Sequence, residues 1–172
     1  MLFRSIDFLG FHVSPAGLQL PENKKSQIDD YPQPTNSQAL RRFLGMVGFY
    51  RRLISDFANI IFHLTELAKH NPKNKFLPWT ELEEEAFKNI KSAITRSTAL
   101  PFARPDVSHL QLVTDSSQVA VGAALHQMIN GEAIPIDFFS KKLSETQTRY
   151  STFDRELLAA YLAVLRDRKS VV

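Results

Sequence analysis

Apolar and polar residues along this chain change rhythm twice. From Ile6 to Val13 the composition favours strand. Ser14-Pro15-Ala16-Gly17 then supplies turn chemistry, and Leu18 to Leu20 can return, so a hairpin is expected. Pro32 and Pro34 interrupt the chain before Ser37, the expected N-cap of a strongly periodic stretch. There Leu40, Phe43, Leu44, Val47, Leu53 and Ile54 fall near one helical face, while Arg41, Gly45, Phe49 and Arg52 fall on another. A second helix is expected from about Asp56 to Lys69, ending in the polar, proline-containing stretch from His70 to Pro78. A third opens at Thr80, which with Glu83 forms a capping box. Behind it lies a stripe of Leu82, Ala86, Phe87, Ile90, Ala93 and Ile94.

After Pro101 and Pro105 the helical period gives way to short strands, His109 to Thr114, Val119 to Gln127 and Ala133 to Phe139, separated by Asp-Ser-Ser and Met-Ile-Asn-Gly turns. An antiparallel meander follows from that pattern. A long amphipathic helix is then expected from Thr146 to about Arg166, with Tyr150, Phe153, Leu157, Tyr161 and Val164 as its apolar stripe. The fold class is therefore α+β, in two parts: residues 1–100, with their hairpin and helices, and residues 101–172, with three antiparallel strands and one long helix.

Charge refines this division. Lys and Arg number 21 against 18 Asp and Glu in the 172 residues. The excess lies before Leu100, with 13 basic and 10 acidic residues, while the remainder carries 8 of each. Between Ser37 and Ile54 there are four arginines (Arg41, Arg42, Arg51, Arg52) and no acid, which suits a phosphate backbone or another anionic surface. The absence of cysteine excludes disulfides and thiolate metal sites. No apolar run approaches the ~20 residues that cross a bilayer, and no signal-peptide core stands at the N-terminus. The expected setting is intracellular, cytoplasmic or nuclear, with no membrane partner.

Two acids attract attention. Asp115 closes the first strand of the meander, and Glu156 lies on the long helix, on a flank with Ala159, Ala160 and Ala163 that would let the helix approach a sheet closely. A carboxylate there would face Asp115. Hard cations such as Mg²⁺ need several carboxylate oxygens held together at one end of a sheet. From spacing alone the alternative is an Asx-type turn at Asp-Ser-Ser and a solvated helix glutamate. The Arg41, Gly45, Phe49, Arg52 face also has two readings. Glycine inside a helix costs ~1 kcal/mol relative to alanine, so Gly45 and Gly48 imply either close packing of another helix or close approach to nucleic acid. His12, His63, His70, His109 and His126 show no metal-ligand spacing. Trp79 reads as a loop anchor, and Lys73, Lys75 and the group from Arg166 to Lys169 read as solvated surface.

Whole stretches resemble the Pol polyproteins of Ty3/gypsy-type long-terminal-repeat retrotransposons and their retroviral relatives. The matching blocks are Phe-Leu-Gly-Phe-His-Val-Ser from Phe8, Leu-Arg-Arg-Phe-Leu-Gly-Met-Val-Gly-Phe-Tyr-Arg-Arg from Leu40, and Trp79 with Ala86-Phe87. They continue with Leu-Val-Thr-Asp-Ser-Ser from Leu112, Val-Gly-Ala-Ala-Leu from Val121, Phe-Phe-Ser-Lys-Lys-Leu from Phe138 and Arg-Tyr-Ser-Thr-Phe-Asp-Arg-Glu-Leu-Leu-Ala-Ala from Arg149. The resemblance implies that Phe8 to Ser14, with Phe8 and Gly10, is a primer-gripping hairpin and that Ser37 to Ile54 is the first thumb helix. Arg41, Gly45, Phe49 and Arg52 would then face template-primer or an RNA-DNA hybrid. It further implies that Asp115 and Glu156 match the first two carboxylates of a ribonuclease H site, which hold Mg²⁺ in hybrid cleavage.

The family's third and fourth ribonuclease H carboxylates would come after Val172, and the polymerase's Tyr-x-Asp-Asp pair before Phe8. The expectation is a fragment of a reverse transcriptase and ribonuclease H, an RNA-directed DNA polymerase, nucleotidyltransferase and endonuclease (a hydrolase) in its parent, and inactive alone. The ribonuclease H-like part would be incomplete, and the tail from Arg166 departs from the family's usual continuation. Its partners would be nucleic acid and the remainder of a Pol polyprotein. The open edge of the strand from His109 invites self-association and marginal solubility. A non-catalytic nucleic-acid binder and a protein-interaction module are the competing readings.

Overall fold

The structure, a computed structural model, describes residues 4–70, 77–107 and 109–169. Lys73, Lys75 and positions 170–172 lie outside the described residues. The expected hairpin is a three-stranded antiparallel meander, β1 (Ile6–Phe8), β2 (Phe11–Ser14) and β3 (Gly17–Gln19). The run that reads as a single strand breaks at Leu9 and Gly10, whose φ values of 49° and 79° make a tight turn matched to strand twist.

A helix that the apolar pattern does not show, α1 (Glu22–Asp29), follows Pro21. It buries only Ile28, too little periodicity to read. Helix α2 (Ser37–Gly48) is capped by Asn36, whose side chain accepts from the Ala39 amide at 2.9 Å; Ser37, the expected cap, is instead a buried first-turn residue. The periodic stretch to Ile54 is not one helix. A 3₁₀ turn at Arg51–Leu53 redirects the chain while keeping Leu53 and Ile54 buried. The next expected helix is likewise two, α3 (Phe57–Ile60) and α4 (Phe62–His70). Helix α5 (Glu81–Thr95) begins at the expected capping box, with the Thr80 amide donating to Glu83 at 3.0 Å. Its Leu82, placed in the stripe by sequence, is 55% exposed.

These helices share one core. Leu40, Phe43 and Val47 of α2 are fully buried, and the Phe43 ring lies 5.1 Å from Tyr31 and 4.8 Å from Phe87. Trp79 anchors its loop as expected: its indole donates to Pro34 O at 2.9 Å.

The second sheet is formed by β4 (Leu110–Ser116), β5 (Ala120–Ile129) and β6 (Glu132–Lys142), antiparallel in that order, with Asn130 and Gly131 (φ 53° and 86°) making the β5–β6 turn. After a 3₁₀ turn at Gln147–Arg149, helix α6 (Thr152–Lys169) crosses the sheet. Here the structure overturns an expectation. Tyr150, Phe153, Leu157, Tyr161 and Val164 are 42% to 75% exposed, whereas Ala159 and Ala163 are buried. The small residues lie against the sheet, with Val121 and Leu143, and the large ones face away from it. Arg166 is not solvated surface either. Its guanidinium donates to Phe138 O at 3.1 Å and pairs with Asp137 at 3.0 Å, fastening α6 to β6. No helix among the described residues is long and apolar enough to cross a membrane.

The chain leaving α5 returns to the first sheet beside Gly17. Leu18 and Leu100 exchange backbone hydrogen bonds of 2.8 and 2.9 Å. At φ +125° a Cβ on Gly17 would stand 2.0 Å from Leu100 O. Gly17→Ala is therefore expected to lower unfolding free energy by about 2 kcal/mol or more through strain and clash, read as a reduced urea midpoint. An unchanged midpoint would show that this bridge does not constrain the fold.

Candidate nucleic-acid interface

The face of α2 opposite its buried stripe is open. Arg41, Gly45 and Phe49 are exposed on it, and Arg52 continues it beyond the helix. An added Cβ at Gly45 or Gly48 would meet nothing within 4 Å, so neither glycine admits a neighbouring helix among the described residues. The first of the two explanations for these glycines is thereby removed.

The turn between β1 and β2 rests on the C-terminal end of this face. A Cβ on Gly10 would lie 3.2 Å from the Phe49 ring, Tyr50 donates to Gly10 O at 3.3 Å, and Phe11 stacks on Phe49 with ring centroids 5.0 Å apart. Phe8 and Leu9 are 59% and 74% exposed, and half the Phe49 ring remains uncovered. The structure thus brings Phe8, Gly10, Gly45 and Phe49, from segments 40 residues apart, onto one continuous surface of backbone and aromatic rings.

The arginines divide differently from the sequence reading. Arg41 donates to Ala68 O at 2.7 Å near the end of α4, and Arg52 approaches Asp137 at 3.5 Å. Both hold the fold together as well as carrying charge. Arg42 sits beside Gly45 on the same side of α2, and Arg51 borders a cavity of about 270 Å³ with Lys141 and Lys142 of β6. Arg42 and Arg51 are exposed. The acid-free run from Ser37 to Ile54 already contained these two residues; the three-dimensional path adds that Arg42 flanks Gly45 and that Arg51 lies with Lys141 and Lys142.

Asp115 and Glu156 are not brought together. Glu156 accepts a hydrogen bond of 2.7 Å from Ser116 Oγ, so Ser116 points toward α6. Strand alternation turns Asp115 to the opposite face of the sheet. There it lines a cavity of about 230 Å³ with Asp56, Asn59, Ser117, Gly122 and Ala124. Asp115 accepts from the Ser116 amide at 2.8 Å, but the turn itself is made by Ser117, whose Oγ accepts from the Val119 and Ala120 amides. Ser117 donates to Asn59 at 2.6 Å and Asn59 to Asp56 at 2.5 Å, tying α3 to the sheet. Partial desolvation pushes the Asp56 carboxyl above its ordinary range, the Asn59 amide opposes this, and the Asp115 carboxylate adds to it. Among the described residues no three His, Asp or Glu side chains form a group that could hold a metal ion. A two-metal site needs several carboxylates on one point, and this donor set does not fit one.

Comparison with known proteins bears on both features. Residues 79–171 match the family described as the RNase H-like domain found in reverse transcriptase. Over 165 residues the chain is 34% identical to the retrovirus-related Pol polyprotein from transposon 412 of Drosophila melanogaster, covering 95% of this chain and 13% of that protein. It is 37% identical over 160 residues to that from transposon 297 of the same organism (92% and 14%), and 32% identical over 158 residues to the transposon Tf2-3 polyprotein of Schizosaccharomyces pombe (90% and 11%). The chain thus spans about an eighth of these relatives. Among solved structures, the foamy viral protease-reverse transcriptase in complex with dsDNA superposes on 98% of this chain and 35% of its own, with a TM-score of 0.82 and 21% identity. The same kind of protein in complex with an RNA/DNA hybrid covers 94% and 22%, with a TM-score of 0.79 and 21% identity. At that identity the likeness shows the fold.

The raised Asp56 carboxyl has a testable consequence. A group whose folded pKa exceeds its unfolded value binds more protons when native, so its charged form costs stability as pH rises above the ordinary aspartate range. Asp56, in left-handed backbone at φ 54°, is also a position that asparagine tolerates. Asp56→Asn is expected to raise the urea midpoint at pH 7, with the gain shrinking as pH falls toward 3. A gain that does not depend on pH would mean the carboxylate carries no such cost.

Proposed function

The chain belongs to the RNase H-like domain family found in reverse transcriptases, with relatives among retrotransposon Pol polyproteins, and from that membership we propose that it is a template-holding segment of such a polymerase. Its α2 face and the Leu9–Gly10 turn lie along double-stranded template-primer or an RNA-DNA hybrid. In a longer Pol chain the segment serves RNA-directed DNA synthesis and hybrid cleavage, with the rest of that polyprotein as its partner.

The observation that carries this reading is the open space over Gly45. A helix glycine is about 0.8–1.0 kcal/mol less favourable than alanine, and no contact among the described residues requires this one. A backbone approached closely by a nucleic-acid groove does require it. Exposed aromatic rings at Phe8 and Phe49 offer surfaces for sugars, and Arg42 and Arg51 reach phosphates without first leaving a role in the core. The foamy viral proteins with this fold were observed on dsDNA and on an RNA/DNA hybrid, which supports the same class of ligand.

Gly45→Leu separates folding from binding. Leucine is the better helix former, so the variant is expected to be as stable as the parent or more so, and to bind an RNA-DNA hybrid at least about tenfold more weakly, a loss of ~1.4 kcal/mol. Unchanged binding would remove this surface from the interface. Arg42→Ala and Arg51→Ala are each expected to reduce the slope of log affinity against log salt by about one, because each releases one fewer counterion.

The family usually works with a divalent metal. Mg²⁺ is the expected ion, and a carboxylate at Asp115 or Glu156 is chemically suited to it, but their placement on opposite sides of the sheet does not fit two-metal hydrolysis. The chain alone is therefore expected to bind hybrid without cutting it. Magnesium-dependent cleavage abolished by Asp115→Asn would overturn this, since the carboxylates would then have to converge on the bound strand.

A further inference from the structure

The tip of the first hairpin has an unusual sequence for its shape. Leu9 and Gly10 both lie in left-handed backbone, at φ 49° and 79°, between the closing pair Phe8 and Phe11. Two-residue loops of this form favour Asn-Gly or Asp-Gly, because a bulky side chain is strained at positive φ. Leucine brings that strain, and at 74% exposed it gains little buried contact to offset it. A strained loop persists only where the surrounding structure supports it.

That support comes from Tyr50. Its backbone is fixed on both sides: the amide donates to Val47 O at 3.0 Å in the last turn of α2, and the carbonyl accepts from Leu53 N at 2.9 Å in the 3₁₀ turn. The ring is 4% exposed and stands edge-on to Phe49 (centroids 5.1 Å apart, planes at 90°) and to Phe11 (5.5 Å, 82°). The hydroxyl is its single polar group, and it donates to Gly10 O at 3.3 Å. As a loop carbonyl, Gly10 O has no place in the β1–β2 ladder and is free to take that bond. The approach is close: a Cβ on Gly10 would stand 3.8 Å from the Tyr50 hydroxyl oxygen as well as against Phe49. Burial pushes the phenol above its ordinary range, so the donor keeps its proton through neutral and mildly alkaline conditions.

We propose that Tyr50 is a positioning residue: its hydroxyl holds the Leu9–Gly10 turn against the end of α2, so that turn and helix face meet nucleic acid as one preformed surface. This rests on the reading of that surface as a template-holding interface. Tyr50 is buried and out of a ligand's reach, so it acts through the turn. Ring packing among Phe11, Phe49 and Tyr50 tolerates sliding, whereas a hydrogen bond to a backbone carbonyl adds direction. A turn ordered in advance spares the complex the entropy of ordering it on binding. The simpler alternative is that Gly10 O only satisfies a buried hydroxyl. In that case removing the hydroxyl would leave both the turn and the binding as they were.

Tyr50→Phe removes the hydroxyl and keeps the ring, so the packing is retained. Hydrogen exchange of the whole chain is expected to speed up about fivefold over residues 8–12, the worth of one net hydrogen bond, while α2 and α5 keep their protection. Affinity for an RNA-DNA hybrid is expected to fall by roughly the same factor. The slope of log affinity against log salt stays unchanged, because no phosphate contact is lost. Adding Leu9→Asn, which suits left-handed backbone, is expected to return the exchange of residues 8–12 toward the parent rate, since the turn then needs less support. Unchanged exchange in Tyr50→Phe, faster exchange with unchanged affinity, or no recovery on adding Leu9→Asn would each overturn the proposal. Failure of the underlying reading has a different signature. The parent chain would then not bind hybrid, or Gly45→Leu would leave binding untouched; the tether would stand as a feature of the fold, and its role in binding would fall.

Discussion

Helix α2 must keep one face dry, and the arrangement of the first hundred residues follows from that requirement. Leu40, Phe43 and Val47 are sealed by aromatic rings from before α2 and from α5, and by apolar residues of the 3₁₀ turn, α3 and α4. The seal fixes the rotation of the helix about its axis. Once Phe43 faces inward, Gly45 and Arg42 have no choice but solvent, and the turn at Leu9 and Gly10 can settle only against Phe49. The open surface is thus the geometric complement of the core rather than a separately built feature.

The second part of the chain depends on the first more than its own core suggests. Its fully enclosed apolar residues are few, centred on Val121, Leu143 and Ala159. Polar contacts across the junction supplement them: Ala58 with Ser140, Arg52 with Asp137, Lys69 with Glu145, and Lys142 with Glu66. Buried Gln127 adds another tie, accepting from the Arg104 amide at 3.0 Å and so pinning the connecting segment to β5. Exposed ion pairs of this kind contribute little individually, but the hydrogen bonds to backbone groups set orientation.

The helical core was largely legible in the sequence because period 3.6 and the Thr80 capping box are local signals. The failures share a physical cause. Periodicity reports which residues lie together on a helix, not what covers them. On α2 the apolar stripe met a core, whereas on α6 the sheet took the alanine side and left Phe153 and Leu157 outside. Closeness of packing decided the matter: Ala159 and Ala163 let backbone approach backbone, which bulky side chains prevent. The pairing of Asp115 with Glu156 failed for a similar reason. A one-residue step along β4 exchanges the two faces of the sheet, and Ser116, not Asp115, occupies the face toward the helix. Helix α1 escaped notice because a single buried residue, Ile28, has no period.

Gly45 also makes the open face adjustable independently of the core. Among the described residues nothing lies within 4 Å of a Cβ added there. A side chain at this position would change the height of the surface without touching Phe43 or the rings that seal it, and alanine would even favour the helix by about 0.8–1.0 kcal/mol. The shape that α2 presents to solvent can thus be altered one methyl group at a time while the fold beneath it stays as it is.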